Sequence, residues 1–226
     1  PSIWAPLLFP GRVEEGIIAL PEAGFSGVDI SLRQADDLPV EWRDKQVQTQ
    51  GLGVSAFATG RMCLEDSLCL TDSHPVVREK LCERMIDLLK LAAHYRASLI
   101  IGGMRGKLSG DQVQKAKQRS DSVKILREWA EIAQDLGVTL LLEPINRYET
   151  NFINSSIDGL ALIDEIDHPA VKLLLDTFHM NIEEVTIGGA LQQAGRELVH
   201  FHVADSNRLA PGKGHLDFAR IMSELS

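Results

Sequence analysis

Three residues of this 226-residue chain, Glu143, Asp176 and His202, are of the types that hold a divalent cation, and each lies at or near the end of an apolar run. Glu143 ends TLLLE, Asp176 ends KLLLD, and His202 sits near the end of LVHFHVA. Leucine triplets bounded by turn residues fit strands buried on both faces, as in a parallel sheet flanked by helices. An unpaired carboxylate at such a strand end costs several kcal/mol, so each must meet a cation, a donor or a metal. Two carboxylates and one imidazole from three successive strands form a donor set suited to a divalent metal. The bland alternative is a buried ion pair, with Arg147 or Arg196 as the partner.

The elements that must position these residues alternate along the chain. SIWAPLLF, FSGVDISL, GLGVSAFATG, SLIIGGM, TLLLE, VKLLLD and LVHFHVA read as strands. Between them lie helical patterns: VEEGIIALPEAG ending at Gly24, the polar EWRDKQVQTQG, a long helix started by Ser73, His74 and Pro75, and DQVQKAKQRSDSVKILREWAEIAQDLG. Two further helices follow, one capped by Ser155 or Ser156 and one over IGGALQQAGREL, and DFARIMSELS starts another. The long helix carries Val77, Leu81, Met85, Leu88 and Ala92 on one stripe; the next carries Ile125, Trp129, Ile132 and Leu136. Strand-helix alternation under the right-handed crossover rule gives a parallel sheet. The expected fold is an α/β TIM (β/α)8 barrel, a single domain over residues 1–226 with its eighth strand and last helix absent from this sequence. A doubly wound sheet fits less well, because no glycine-rich phosphate turn follows an early strand. The segment RMCLEDSLCLT, residues 61–71, is too apolar for an idle loop and is expected as a lid or as packing against a subunit or a neighbouring loop.

Composition narrows the partners. With 44% hydrophobic residues the chain can bury a sizeable core, and a net charge of -9 disfavours nucleic acid and anionic membranes. A small ligand is the expected partner. No run approaches the roughly 18 apolar residues of a membrane span, so a soluble, cytoplasmic protein is expected. Cys63, Cys69 and Cys82 show no CxxC spacing and are expected as free thiols serving as small hydrophobes.

The runs LLLEPINRYETNFIN, LLLDTFHMNIEEV and HFHVADSNRLAPGKGHLDF resemble the sugar isomerase and epimerase group of xylose isomerase-like barrels. More closely they resemble its ketose 3-epimerases and 5-keto-L-gluconate epimerases; GFSGVDI, LEDSLCLTDSHP and SLIIGGMRG also fit, so the likeness spans essentially the whole chain. The resemblance implies metal ligands at Glu143, Asp176 and His202, substrate contacts from His179, Arg208 and Glu149, and a homo-oligomer, a dimer or tetramer. It alone selects His202 over His200, which shares the strand face one pleat deeper and reads as a satisfied core histidine. It also implies a fourth ligand beyond Ser226, a glutamate at the end of strand eight that takes part in proton transfer. Oxygen-rich ligation with one imidazole suits Mn²⁺ first, then Mg²⁺ or Co²⁺, with Zn²⁺ able to compete.

The implied activity is epimerisation of a ketose or keto-sugar acid. A cation on the carbonyl and the neighbouring hydroxyl stabilises an enediolate, Glu143 moves a proton on one face, and a second acid serves the other. Arg105, on the loop after strand four, is a candidate for a substrate carboxylate. An aldose-ketose isomerase or a dehydratase could use the same metal. An endonuclease IV-like phosphodiesterase would need a histidine-rich trinuclear site and a basic face, and an inactive sugar-binding barrel is the third class. Glu149 could instead pair with Arg147; Glu183 and Glu184 read as solvated, and His74, His94 and His168 as surface residues.

Overall fold

The computed structural model describes residues 2–3, 19–38 and 51–225. Its strands β1 (Ser2–Ile3), β2 (Gly27–Ser31), β3 (Gly53–Ala58), β4 (Ser98–Ile101), β5 (Leu140–Leu142), β6 (Val171–Asp176) and β7 (Leu198–His202) lie side by side in that order. From β2 to β7 every pairing is parallel. Around the sheet run α1 (Gly60–Asp66), α2 (Pro75–Tyr95), α3 (Gln112–Asp135), α4 (Ser156–Ile166), α5 (Thr177–Glu183), α6 (Ile187–Ala194) and α7 (Phe218–Leu225).

The sheet is strongly curled. Asp29 on β2 hydrogen-bonds His200 and His202 on β7 at 3.0 and 2.9 Å. A flat sheet at about 4.8 Å per strand would hold β2 and β7 roughly 24 Å apart. The strands are buried on both faces, as their leucine runs require. Ala56, Ile100, Leu141 and Leu174 pack together inside the curl, while Phe57, Leu99, Ile101, Leu140, Leu142, Leu173 and Leu175 pack outward with the helices. Glu143 and Asp176 follow the inward alternation of Leu141 and Leu174, which aims both at the open end of the curl.

Several local expectations change. Ser2–Ile3 pairs antiparallel with β2, not parallel; the rest of the expected first strand, the first half of the helix ending at Gly24, and all but Gly51 of EWRDKQVQTQG lie outside the described residues. Residues 61–71 begin as helix, which was not expected of them. They continue α1, supported by an Arg61–Glu65 pair at 2.6 Å one turn apart, and then pass through left-handed Ser67 into a turn whose Leu70 and Thr71 N–H groups bond the Met104 and Arg105 carbonyls at 3.0 and 3.1 Å. Packing against a neighbouring loop is therefore what this segment does. Cys63 and Cys69 are joined as a disulfide, correcting the expectation of three free thiols; only Cys82 is free. The turn that follows α1 brings the two sulfurs together, a proximity that spacing alone did not reveal.

α2 starts at Pro75 with His74 in the N-cap position and no side-chain cap, so neither Ser73 nor another hydroxyl caps it; Asp72 instead accepts the His74 N–H at 2.7 Å in the turn before the helix. The α2 stripe buries Leu81, Met85, Leu88 and Ala92 as expected. On α3 the buried face is centred on Leu126, Trp129, Ala130 and Ala133, so Ile125 and Ile132 flank it and Leu136 is exposed. One residue is a rotation of about 100° on a helix, which accounts for that offset.

Candidate metal centre

Glu143, Asp176 and His202 converge at the C-terminal ends of β5, β6 and β7, with one donor atom from each lying within 4.8 Å of the other two. His202 Nδ1 is 3.7 Å from Glu143 Oε1 and 3.8 Å from Asp176 Oδ2. Ligands about 2.1 Å from one ion stand roughly 3.0 to 4.2 Å apart, so a single cation spans these gaps. The backbone prepares this meeting. An extra residue, Val199, shifts the β6–β7 register so that Asp176 faces His202. The Thr177 hydroxyl then both donates to the Ala204 carbonyl at 2.6 Å and accepts its N–H at 2.8 Å, tying the two strand ends together. Asp176 caps α5 through its other oxygen, which accepts from Phe178 N–H at 2.7 Å and fixes the carboxylate's rotation.

Electrostatics describe a site short of positive charge. Burial alone would raise both carboxyls, and it does raise Asp176, with Glu143 adding to the effect. Glu143 is nonetheless held below its ordinary range, chiefly by the His202 imidazole 3.7 Å away. Burial would push the His202 imidazole down, yet Asp29 and Glu143 outweigh it and lift the group to about 10. Clustered carboxylates that hold a proton on this imidazole so firmly would hold a divalent cation in place of that proton.

Asp29, His200 and His202 form a second cluster. Its contacts of 2.9 and 3.0 Å are hydrogen bonds from Nε2 to one carboxylate oxygen. That leaves His202 Nδ1 directed at Glu143 and Asp176, the arrangement of a ligand imidazole braced by an outer carboxylate. His200 is only partly buried and shares Asp29, so it is satisfied but not a core residue. Sequence reasoning passed over Asp29 because its partners lie more than 170 positions away.

The residues matched by resemblance to substrate contacts gather beside this cluster. His179 on α5 is buried, and its Nδ1 meets Asn146. Arg208 donates to Glu149 at 2.9 Å and stacks 4.9 Å above the Phe178 ring. Arg208 occupies a left-handed turn (φ 62°) organised by Asp205, whose buried carboxylate accepts the N–H groups of Ser206, Gly212 and Leu216 at 2.7, 2.8 and 3.1 Å. Burial would raise that carboxyl, but these donors and Gly214 N–H hold it far below its ordinary range.

Arg105 is corrected. It is 1% exposed, and all five of its N–H groups point at four carbonyls: Ile101 and Glu143 from Nη1, Phe152 from Nε and Nη2, and Ile153 from Nη2. None remains for a substrate carboxylate. Glu183 is not solvated: it grips Arg147 through Nε, Nη2 and the backbone N–H. That removes Arg147 as a partner for Glu143 or Glu149, and Arg196 pairs with Glu197. Glu184 caps the start of α4 through the Ser156 N–H at 2.6 Å.

A curled parallel sheet with carboxylates and imidazoles at its C-terminal rim defines a TIM-barrel protein of the metal-site kind. The sequence profile of the xylose isomerase-like TIM barrel matches residues 17–226, and the chain belongs to that family. It is 33% identical to the D-psicose 3-epimerase of Ruminiclostridium cellulolyticum over 88% of this chain and 70% of the relative. To the L-ribulose 3-epimerase of Mesorhizobium japonicum it is 31% identical over 99% and 74%. Among solved structures, the 3-keto-D-glucoside 4-epimerase of E. coli superposes with a TM-score of 0.81 at 25% identity, covering 97% of this chain and 84% of that one. These relatives are sugar epimerases, enzymes of the isomerase class. An AP endonuclease of Brucella melitensis shares the fold alone, with 21% identity. Among the described residues no helix is long and apolar enough to cross a membrane.

Proposed function

We propose that this single-domain chain is a divalent-metal-dependent epimerase of a ketose or keto-sugar acid. The convergence of Glu143, Asp176 and His202 from three neighbouring strand ends carries the reading, supported by the epimerase activity of the relatives. These three residues hold the cation, with Mn²⁺ the metal their donor set suits best. Bound there, it would withdraw charge from a ketone oxygen and acidify the neighbouring C–H. Glu143 takes up the proton from that carbon on one face, and a second acid on the opposite face returns one, so that the centre is inverted. His179, Glu149 and Arg208 grip the sugar hydroxyls, and Phe178 supports the Arg208 guanidinium from below.

Incubation of the protein with Mn²⁺ and a panel of ketoses and keto-uronates in deuterium oxide tests this directly. Deuterium should enter one carbon beside the ketone, with appearance of the epimer, and a chelator should stop both. Absence of exchange with every sugar while Mn²⁺ is bound would sink the proposal. The partner class is a small sugar and not nucleic acid, in keeping with the charge of -9. A homo-oligomer working in the cytoplasm completes the reading; in that reducing compartment the Cys63–Cys69 pair would be opened to thiols.

Two consequences concern the cation site. Asp29→Ala frees His202 from its brace and is expected to weaken Mn²⁺ binding by about 10- to 100-fold in titration calorimetry; a change under about twofold would remove Asp29 from that role. At Gly102 a Cβ would strike the Glu143 carboxylate, while Ile145 Cδ1 stays at ordinary contact distance. Gly102→Ala is thus expected to lower the exchange rate by about 100-fold through displacement of Glu143, with the melting temperature as the control for folding.

A further inference from the structure

We infer that Asn146 is the positioning residue that sets the tautomer of His179 and couples it to Glu149 and Arg208. The inference rests on the sugar-binding role proposed for those three residues, but its geometry stands on its own.

Asn146 is 1% exposed, and every polar atom of its side chain is engaged. Its Oδ1 accepts the Tyr148 N–H at 3.0 Å. A backbone N–H can only donate, so the atom facing it is the oxygen and the other is the amide nitrogen. Nδ2 then directs one hydrogen to Glu149 Oε1 at 3.0 Å and the other to His179 Nδ1 at 2.8 Å. The Asn146 backbone N–H points at the same ring nitrogen from 3.4 Å.

Two N–H donors therefore meet at His179 Nδ1. That nitrogen must be the acceptor, and the ring proton sits on Nε2. His179 is thereby fixed as a donor, ready to offer Nε2–H to a sugar oxygen. Through the same amide, Glu149 keeps the rotamer that receives Arg208 Nη1 at 2.9 Å. One buried amide thus sets the direction of three side chains that come from two loops and a helix.

The test needs no sugar for its first arm. Two-bond proton-nitrogen NMR of ¹⁵N-histidine-labelled protein, with His179→Gln to assign the signal, should show His179 protonated at Nε2 and bare at Nδ1. In Asn146→Asp an acceptor replaces the amide donor, so Nδ1 should gain the proton. A wild-type ring protonated at Nδ1, or a folded Asn146→Asp variant with Nδ1 still bare, overturns the inference. The second arm is kinetic. Asn146→Asp should raise KM for the accepted ketose by about tenfold or more, with a smaller effect on kcat. Should the wild type show the Nε2–H tautomer yet neither bind nor turn over any ketose, the functional reading fails and the positioning role stands. Should a sugar be turned over while Asn146→Asp leaves KM unchanged, the coupling to substrate fails.

Discussion

Glu143→Gln is expected to lower solvent exchange of the substrate C–H by about 10²- to 10⁴-fold, the span associated with loss of a positioned proton carrier. Glutamine keeps the shape and one oxygen, so the loop after β5 should stay in place. What it loses is the basic lone pair and the negative charge opposite His202, 3.7 Å away. Deuterium incorporation followed by proton NMR reads the first loss; Mn²⁺ titration of the same variant reads the second. A variant that binds Mn²⁺ normally but does not exchange would mark Glu143 as the base. Exchange within about threefold of wild type would move the base elsewhere and leave Glu143 as a ligand only.

Arg105→Ala is expected to be strongly destabilising. The guanidinium is buried and burial pulls it down to about 10, so it stays charged at neutral pH. Its bonds of 2.7 and 2.6 Å to the carbonyls of Ile101 and Glu143 clamp β4 to β5. Its bonds of 3.2 to 3.3 Å to Phe152 and Ile153 hold the return of the loop that carries Asn146 and Glu149. Truncation leaves four carbonyls without these donors and opens a cavity, a loss of about 3 to 5 kcal/mol. For a chain of this length that is a fall of roughly 10 °C in melting temperature, measurable by differential scanning calorimetry. Arg105→Lys should recover little, because an ammonium cannot address four carbonyls in the plane of a fork. A fall below about 2 °C for the alanine variant would show that water replaces the arginine.

Arg105 also shows why part of the site was misread from sequence. A loop arginine after a barrel strand has the position of a substrate contact, and only the packing shows that its donors turn inward. Glu183 went the same way: it looked solvated between two elements, but the fold presses it against Arg147. Glu149 and Arg147 are near neighbours in sequence, yet the turn points them apart and each finds a partner dozens of residues away.

The strand-ending carboxylates, the histidine run and the alternation of apolar runs with amphipathic helices were legible because they are local. Period and termination of a hydrophobic pattern reflect burial on one or two faces, and that is written residue by residue. On these grounds the parallel α/β architecture and the grouping of Glu143, Asp176 and His202 followed from sequence, the choice of His202 over His200 needing the family likeness. What the tertiary structure alone decided is non-local: the curl that brings Asp29 of β2 under His202 of β7, the bulge at Val199 that pairs His202 with Asp176, and the closure of Cys63 on Cys69. The orientation of His179 by Asn146 belongs with them. Direction of a hydrogen bond depends on backbone paths that meet in space, and no spacing along the chain encodes where two paths meet.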